Sequence, residues 1–456
     1  MKDFPSTEIV QNIDLNVLIP KHLLNAAKYV ENILHENGFE GFLVGGSVRD
    51  LLLDRKISDL DYTTDALPED LKNIFPKVIP VGEKFGTVIV LYHSIPIEVT
   101  TYRKEGKYID GRRPEHIQFA LKLDEDVHRR DFTINGLAYS VRNSELHDYI
   151  GGITDLQKKI IRTIGNPLDR FQEDGLRPIR GCRLMANLGF QIDSSTETAM
   201  VKKLDVVSKI APERFYDEWR KTLRLRDKHI YWNTLKKTGI FQLFFDEFPN
   251  LNHNQTNWDE LLFAIGHSMP GVMGVYMAHF FYFELHESAR LPIEKNKTSL
   301  TLIRHFFQKN RFPKVVERLC HDLVFSPLSQ VFESAIDKDI DPVILKKALS
   351  NIEKEHWFFH LRFCKEVIIS KLKRDHREDI YHDLSFKTVR FIRKFVKNKE
   401  AIYIKDLNVS GNDLIALGFS GRLIGAILQN LQNIVIESPE KNKRDELIEF
   451  AKTLLK

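Results

Sequence analysis

Asp59 and Asp61 stand two residues apart in Ser58-Asp59-Leu60-Asp61-Tyr62, a segment that reads as extended. In a strand, positions i and i+2 point to the same face, whereas a helix would turn them roughly 200° apart. Both carboxylates can therefore grip one site. Glu98 lies in the run Ile95 to Arg103, where Ile95, Ile97 and Val99 share one face and Glu98 takes the other. A third acid on the polar face of a neighbouring strand completes the oxygen-rich set that Mg²⁺ requires. An isolated Asp-x-Asp is more often a turn or a helix cap, but the segment FLVGGSVRDLLL (42–53) changes that reading. It supplies a strand, a double-glycine turn and a helix start, whose backbone N–H groups suit a triphosphate, and Arg49 adds a planar fork for phosphate oxygens. A dinucleotide-binding turn fits poorly, because GGSVRD lacks the GxGxxG spacing and no βαβ repeat follows.

The elements that must hold these residues are legible from periodicity. Leu23, Ala27, Val30, Ile33 and Leu34 recur near every 3.6 residues, which predicts a helix over 22–37 ending at Asn37-Gly38. Phe42-Leu43-Val44 reads as a strand that enters the Gly45-Gly46 turn, with a helix over 48–53 beyond it. Thr87 to His93 and Ile95 to Arg103 are rich in Val, Ile, Thr and Tyr and predict a hairpin turning near Ser94. From about Asp155 the pattern becomes helical, with few glycines and all four tryptophans. The change of period marks a change of domain. Connections are expected at 250–257, 291–297 and 337–342.

Composition bounds the rest. The 456 residues suggest about three structural units, and 43% hydrophobic with 29% charged residues excludes a disordered or low-complexity chain. No run of 18 apolar residues and no apolar stretch behind a basic start is present, so a soluble, cytoplasmic protein is expected, with no membrane partner. Cys182, Cys320 and Cys364 lie far apart with no CxxC pair, which predicts buried or half-buried thiols. A net charge of +4 is too small to prove a nucleic-acid partner. Locally, residues 371–399 hold ten Lys/Arg against four acids, and Lys387, Arg390, Arg393 and Lys394 could follow a phosphate backbone; a solvated helix face is the plain alternative.

FLVGGSVRD, SDLDY, VGEKFGTV (81–88), IEVTTYR (97–103), YIDGRRPEHIQF (108–119), RRDFTIN (129–135), GGITDL (151–156) and EDGLRPIR (173–180) occur in this order. Their order and spacing resemble the tRNA nucleotidyltransferase and bacterial poly(A) polymerase family. The likeness is dense over about 40–222 and resumes at LNVSGNDLIALGFSGRLIGAIL (407–428). It implies an α+β fold: a nucleotidyltransferase palm-like β sheet with helices at the N-terminus, then an all-α neck, body and tail. The expected boundaries are 1–155 (head), 156–225 (neck with base recognition), 226–345 (body) and 346–456 (tail, tRNA binding). The implied reaction is template-independent addition of C and A to the 3′ end of tRNA from CTP and ATP. The resemblance further implies that Asp59 and Asp61 bind two Mg²⁺ ions with Glu98 as third carboxylate. Gly46, Arg49 and Arg130 would contact the nucleotide's phosphates or ribose, and Asn135 would lie near the sugar. Arg103, Asp110 and Arg112 belong to the loop region that the family keeps flexible. That loop, Lys104 to Pro114, is intact, whereas relatives that add only CC resemble the family with the loop disrupted. Addition of A alone stays open.

EDGLR carries the base choice. If a helix spans it, Asp174 and Arg177 are i and i+3 and face the same way. An ionised Asp accepts hydrogen bonds and Arg donates them. Cytosine and adenine both present an amino group beside a ring-nitrogen acceptor, so one Asp/Arg pair can read both. Uracil and guanine present a carbonyl beside an N–H and would set like against like. Arg180 and Arg183 continue an arginine face, and Pro178 could tilt the helix and with it Arg177. An exposed i,i+3 ion pair is the plain reading of EDGLR. His267, His279 and His321 resemble remnants of a His-Asp metal site but lack its paired spacing; His279, in Met-Ala-His-Phe-Phe, reads as a core histidine. A non-catalytic RNA-binding protein with a dead head is the other class of reading, opposed by the complete carboxylate set.

Overall fold

The computed structural model describes residues 9–104, 118–285, 297–335, 338–374 and 378–453. The chain folds as two compact units, Met1–Phe245 and Asp246–Lys456.

The first unit is built on an eight-stranded sheet: β1 (Ile9–Asn12), β2 (Gly41–Val44), β3 (Asp61–Thr64), β4 (Val78–Ile79), β5 (Thr87–Tyr92), β6 (Ile95–Thr101), β7 (Ala138–Ser140) and β8 (Glu145–Asp148). Their spatial order is β1-β8-β7-β2-β3-β6-β5-β4. Antiparallel pairing dominates, but β3 and β6 run parallel, with Asp61 opposite Glu98 and Thr64 opposite Thr101. The hairpin expected near Ser94 is present, and Ile97 and Val99 are fully buried.

Helix α1 (Lys21–Glu36) covers one face of this sheet. Its buried Leu23, Ala26, Ala27, Val30 and Leu34 share a core with Leu43, Tyr62, Val88, Val90, Ile97 and Val99. Glu31 is buried among them, and desolvation raises its carboxyl to about 7. It accepts the backbone N–H groups of Val141 (2.9 Å) and Arg142 (2.8 Å) and the Tyr62 hydroxyl (3.1 Å), tying α1 to the loop after β7 and to the middle of β3. Tyr62 thus points into the core, while Asp61 and Thr63, its neighbours in the pleat, point the other way.

The sheet is larger than local patterning indicates, because β7 and β8 escape it. Ala138, Tyr139 and Ser140 are all buried, so no alternation shows, and Glu-Leu-His-Asp is too polar to read as a strand. RRDFTIN ends in a short 3-10 turn (Thr133–Asn135) that leads directly into β7. Beyond the sheet come α2 (Gly46–Leu52), α3 (Leu123–His128), α4 (Pro167–Glu173), α5 (Leu176–Leu188) and α6 (Pro212–Thr222). Trp219 and Trp232 are fully buried and pack edge to face at 4.8 Å.

The second unit is helical throughout its described residues. Helix α7 (Met273–Leu285) is buried on every side over Met273–Glu284. His279 sits within it with no exposure, its Nδ1 2.8 Å from the Val275 carbonyl and its Nε2 3.2 Å from the Glu366 carboxylate, in the core position expected of it. Helices α8 (Trp357–Arg374) and α9 (Glu378–Lys397) carry the basic run. Of the expected connections, 250–257 is partly helical: Pro249–His253 forms a short helix and Asn254 caps the next. The 291–297 connection lies almost entirely outside the described residues. All three cysteines are free and buried. No described helix is long and apolar enough to cross a membrane.

Candidate active site

A polar cleft of about 540 Å³ opens in the first unit, and the strand β3 and the β2–α2 turn form its floor. Gly45 has φ +73°, a conformation that costs a side chain dearly, and it turns the chain from β2 into α2. A Cβ there would stand 3.9 Å from the Asp61 Oδ2 and 3.7 Å from the Arg130 Nη1, so the backbone passes directly under both charges. Gly46 opens the helix that follows.

Asp61 is the first residue of β3, and Asp59 lies in the loop just before it rather than in the strand. Both nevertheless line the cleft. Glu98 is exposed on β6 and in register with Asp61 across the parallel pair. Desolvation, then the negative charges of Glu98 and Asp59, raise the Asp61 carboxyl to about 6, with Arg130 opposing. Among the described residues no hydrogen bond or ion pair holds the Asp61 carboxylate. Asp59 and Asp61 face the cleft with no thiolate or imidazole lining it beside them, a donor type that fits a hard divalent cation, whereas Glu98 does not line the cleft and, among the described residues, does not close with them into a group of three ligands.

Arginines line the remaining walls. Arg49 is buried on α2 and donates through Nη1 to the Asn135 Oδ1 at 2.7 Å. Asn135 in turn donates to Asp131 (3.1 Å), which pairs with Arg180 at 3.0 Å. Burial works against the Asp131 charge, yet Arg180 and these hydrogen bonds hold its carboxyl below the usual range. Arg130 pairs with Asp126 at 2.9 Å, and Arg183 with Glu218 at 2.6 Å. Arg103 reaches the cleft while its Nη1 donates to the Phe85 carbonyl at 2.7 Å. Asp110 and Arg112 lie outside the described residues.

EDGLR is arranged differently from a continuous helix. Asp174 is extended (φ −144°, ψ 108°) between α4 and α5, and α5 begins only at Leu176. Asp174 and Arg177 meet in the cleft through this break, not through helical i,i+3 spacing. The Asp174 Oδ1 accepts the Leu176 N–H (3.0 Å) and its Oδ2 pairs with Arg214 of α6 (2.9 Å). Arg177 is 5% exposed and donates to the carbonyls of Arg170 (3.0 Å) and Arg129 (3.1 Å) and to Glu173, which fix its plane. Pro178 falls in the first turn of α5, where its missing N–H would have had no helical partner, so the tilt expected from it does not follow.

The cleft also holds Arg129, Asp131 and Lys221, which the sequence-based set of site residues omits. Arg129 and Asp131 carried a signal in RRDFTIN. Lys221 carried none, since it reaches the cleft from α6, far along the chain. Elsewhere, Arg390, Arg393 and Lys394 are exposed on α9, and Lys387 is held by Asp383 (2.7 Å) and Asp339 (2.5 Å). His267 contacts its own helix at the Phe263 carbonyl and His321 its neighbour Asp322. Among the described residues neither histidine joins His279 in a group of possible metal ligands.

Residues 41–162 match the family model of the poly A polymerase head domain, and 189–253 match that of the probable RNA and SrmB-binding site of polymerase A. The CCA-adding enzyme of Bacillus subtilis (strain 168) is 31% identical over 428 residues, spanning 93% of this chain and 96% of that protein. The chain belongs to the CCA-adding enzymes. That of Staphylococcus haemolyticus is 29% identical over 95% of this chain and 99% of its own length. Among solved structures, the Bacillus stearothermophilus CCA-adding enzyme in complex with CTP superposes with a TM-score of 0.71 at 25% identity, covering 95% of this chain and 98% of that one. The Thermotoga maritima CCA-adding enzyme complexed with tRNA shares the fold, with a TM-score of 0.67 at 18% identity, covering 98% of this chain and 100% of that one. The sheet-then-helices architecture read from periodicity and motif order is thereby borne out, as is the family. This CCA-adding enzyme is a nucleotidyltransferase, and its family works with a divalent metal.

Proposed function

We propose that this enzyme adds the C and A nucleotides of the CCA end to tRNA from CTP and ATP, without a nucleic-acid template. The observation that carries this reading is the convergence of Asp59 and Asp61, the arginine walls and the Asp174/Arg177 pair in one cleft. Asp59 and Asp61, with Glu98, are assigned to hold Mg²⁺, which when bound supplies charge for activating the attacking 3′-hydroxyl and for the departing pyrophosphate. Gly46, Arg49 and Arg130 hold the triphosphate, with the backbone at the start of α2 turned toward it. Asn135, fixed between Arg49 and Asp131, faces the sugar. Asp174 and Arg177 read the base edge: each carboxylate oxygen has a lone-pair site beyond the partner it already holds, so Asp174 can still accept an amino N–H. Arg180 and Arg183 extend the positive wall along α5, and Arg103, at the stem of the family's flexible loop, borders the nucleotide.

We divide the chain functionally into head (1–155), neck (156–225), body (226–345) and tail (346–456). The two family models fall on the head and on the neck with the start of the body.

Incubation with tRNA transcripts ending before, within and after CCA, with one labelled nucleotide at a time, tests the reaction. The expected result is C addition to the first, completion of the second and none on the third. A enzyme that extends only tRNA-CC would reduce the reading to A addition, and one that extends the complete tRNA with many A residues would make it a poly(A) polymerase.

The tail reading rests on α9. At 100° per residue, Lys387, Arg390, Arg393 and Lys394 fall within an arc of roughly 120°. Replacing all four with Gln should weaken tRNA binding and flatten its salt dependence, by up to about one in the log–log slope for each lost phosphate contact. Lys387 already answers to Asp383 and Asp339, so the slope should change by nearer three than four. An unchanged slope in filter binding would return this face to solvent.

A further inference from the structure

Asp126 lies on α3, has no exposed surface and does not line the cleft. Five donors nevertheless converge on its carboxylate. The Arg129 Nε (2.7 Å) and Nη2 (2.6 Å) and the Arg103 backbone N–H (3.3 Å) meet Oδ1, and the Arg130 Nη2 (2.9 Å) and the Thr63 hydroxyl (3.1 Å) meet Oδ2. Burial alone would push this acid toward its neutral form, but Arg130 and Arg129 outweigh it and hold the carboxyl below the usual range.

The three chain segments joined here are those that shape the nucleotide cleft. Thr63 shares a face of β3 with Asp61, the strand leaving β6 passes through Arg103, and Arg129 and Arg130 enter the cleft from the end of α3. An arginine in an open cleft has about 2 kcal/mol of rotamer freedom to lose on meeting a phosphate. A buried carboxylate that holds its guanidinium beforehand removes much of that loss.

We propose that Asp126 is a positioning residue for the nucleotide: it touches no substrate, but sets the guanidinium planes of Arg129 and Arg130 and locks them to the metal-bearing strand. This rests on the assignment of Arg130 to the incoming nucleotide. Asp174 and Arg177 make no direct contact with Asp126, and Arg177 meets this group only at the Arg129 main-chain carbonyl, which the Asp126 carboxylate does not hold, so base choice does not pass through that carboxylate.

Steady-state addition of C to tRNA lacking CCA and of A to tRNA-CC should show the split. Asp126→Asn removes the charge and presents an amide N–H₂ among guanidinium and backbone N–H groups that can only donate, so KM for both CTP and ATP should rise about tenfold with kcat changed less than about threefold, and selectivity over UTP and GTP unaltered. A merely structural role would shrink the active fraction, lowering kcat at unchanged KM, and that result would overturn the proposal. Thr63→Val removes one contact and leaves the acid and both arginines in place; it should raise KM by about two- to fivefold and decides the matter where Asp126→Asn fails to fold, an unchanged KM counting against. Arg130→Ala separates the two layers of argument. If it leaves KM unchanged, the assignment of Arg130 falls; if it raises KM while the Asp126 and Thr63 variants do not, the positioning role falls alone.

Discussion

Asp61→Asn should lower nucleotide incorporation by roughly 10³-fold or more while the protein stays folded and binds tRNA as before, because the carboxylate stands outside the core and serves only the reacting end. Asp59→Asn should lose as much. The two variants part company in stability. The Asp61 carboxyl titrates at about 6 in the folded protein against an ordinary value of 3.8. A native state that holds a proton more tightly than the unfolded chain gains stability as pH falls through this window, and at neutral pH it bears the cost of ionising a crowded acid. Metal-free Asp61→Asn should therefore be more stable than the parent at pH 7.5, by up to about 3 kcal/mol, with the gap closing as pH falls toward 4. Denaturant unfolding with and without Mg²⁺ reads this directly, and Mg²⁺ should stabilise the parent but not the variant. In the parent, protons should compete with the cation below about pH 6. Near-normal turnover in either variant would remove the carboxylates from the chemistry.

Asp174→Ala should change what is added more than whether anything is added. It removes the acceptor for the amino group of C or A and leaves Arg177 able to donate to the carbonyls of U or G. A mispaired polar group in a closed pocket is worth about 1–3 kcal/mol, so misincorporation of UTP and GTP relative to CTP and ATP should rise by roughly 5- to 150-fold. The Asp174 Oδ2 also anchors Arg214, so slower overall addition is expected as well. Arg177→Ala should weaken both correct nucleotides alike. All four nucleotides offered singly to tRNA lacking its CCA end give the answer; a variant as selective as the parent would make EDGLR a structural pair.

What could be read beforehand followed the range of the interaction. Helix α1, the β2–α2 turn and the β5–β6 hairpin rest on contacts within a few residues, and periodicity finds those. The break between Asp174 and Leu176 was missed because Glu-Asp-Gly-Leu-Arg has nothing against helix except a glycine. That glycine is required by a contact distant in sequence: a Cβ on Gly175 would come within 2.7 Å of the Val206 carbonyl oxygen. Asp126 was invisible for the same reason. Among alternating charges in Asp-Glu-Asp-Val-His-Arg-Arg nothing distinguishes the acid that ends fully buried from its neighbours Asp124 and Glu125, which remain partly exposed. The pairing of β1 with β8 joins residues 9–12 to 145–148, beyond the reach of any local pattern.

The parallel pairing of β3 with β6 makes the carboxylate set tolerant of some changes in chain length and intolerant of others. Glu98 faces the same way as Asp61 only while it stands at an odd offset along the chain from the buried Ile97 and Val99 on either side. Residues added at the exposed turn His93–Ser94 lengthen a loop and leave that parity alone. One residue added between Ile97 and Glu98, or between Glu98 and Val99, reverses it, and the sheet could then be restored only by carrying the acid into the core or by a bulge that turns it aside. Length variation along this hairpin thus belongs to its tip, and the stretch from Ile97 to Val99 is fixed in count as well as in kind.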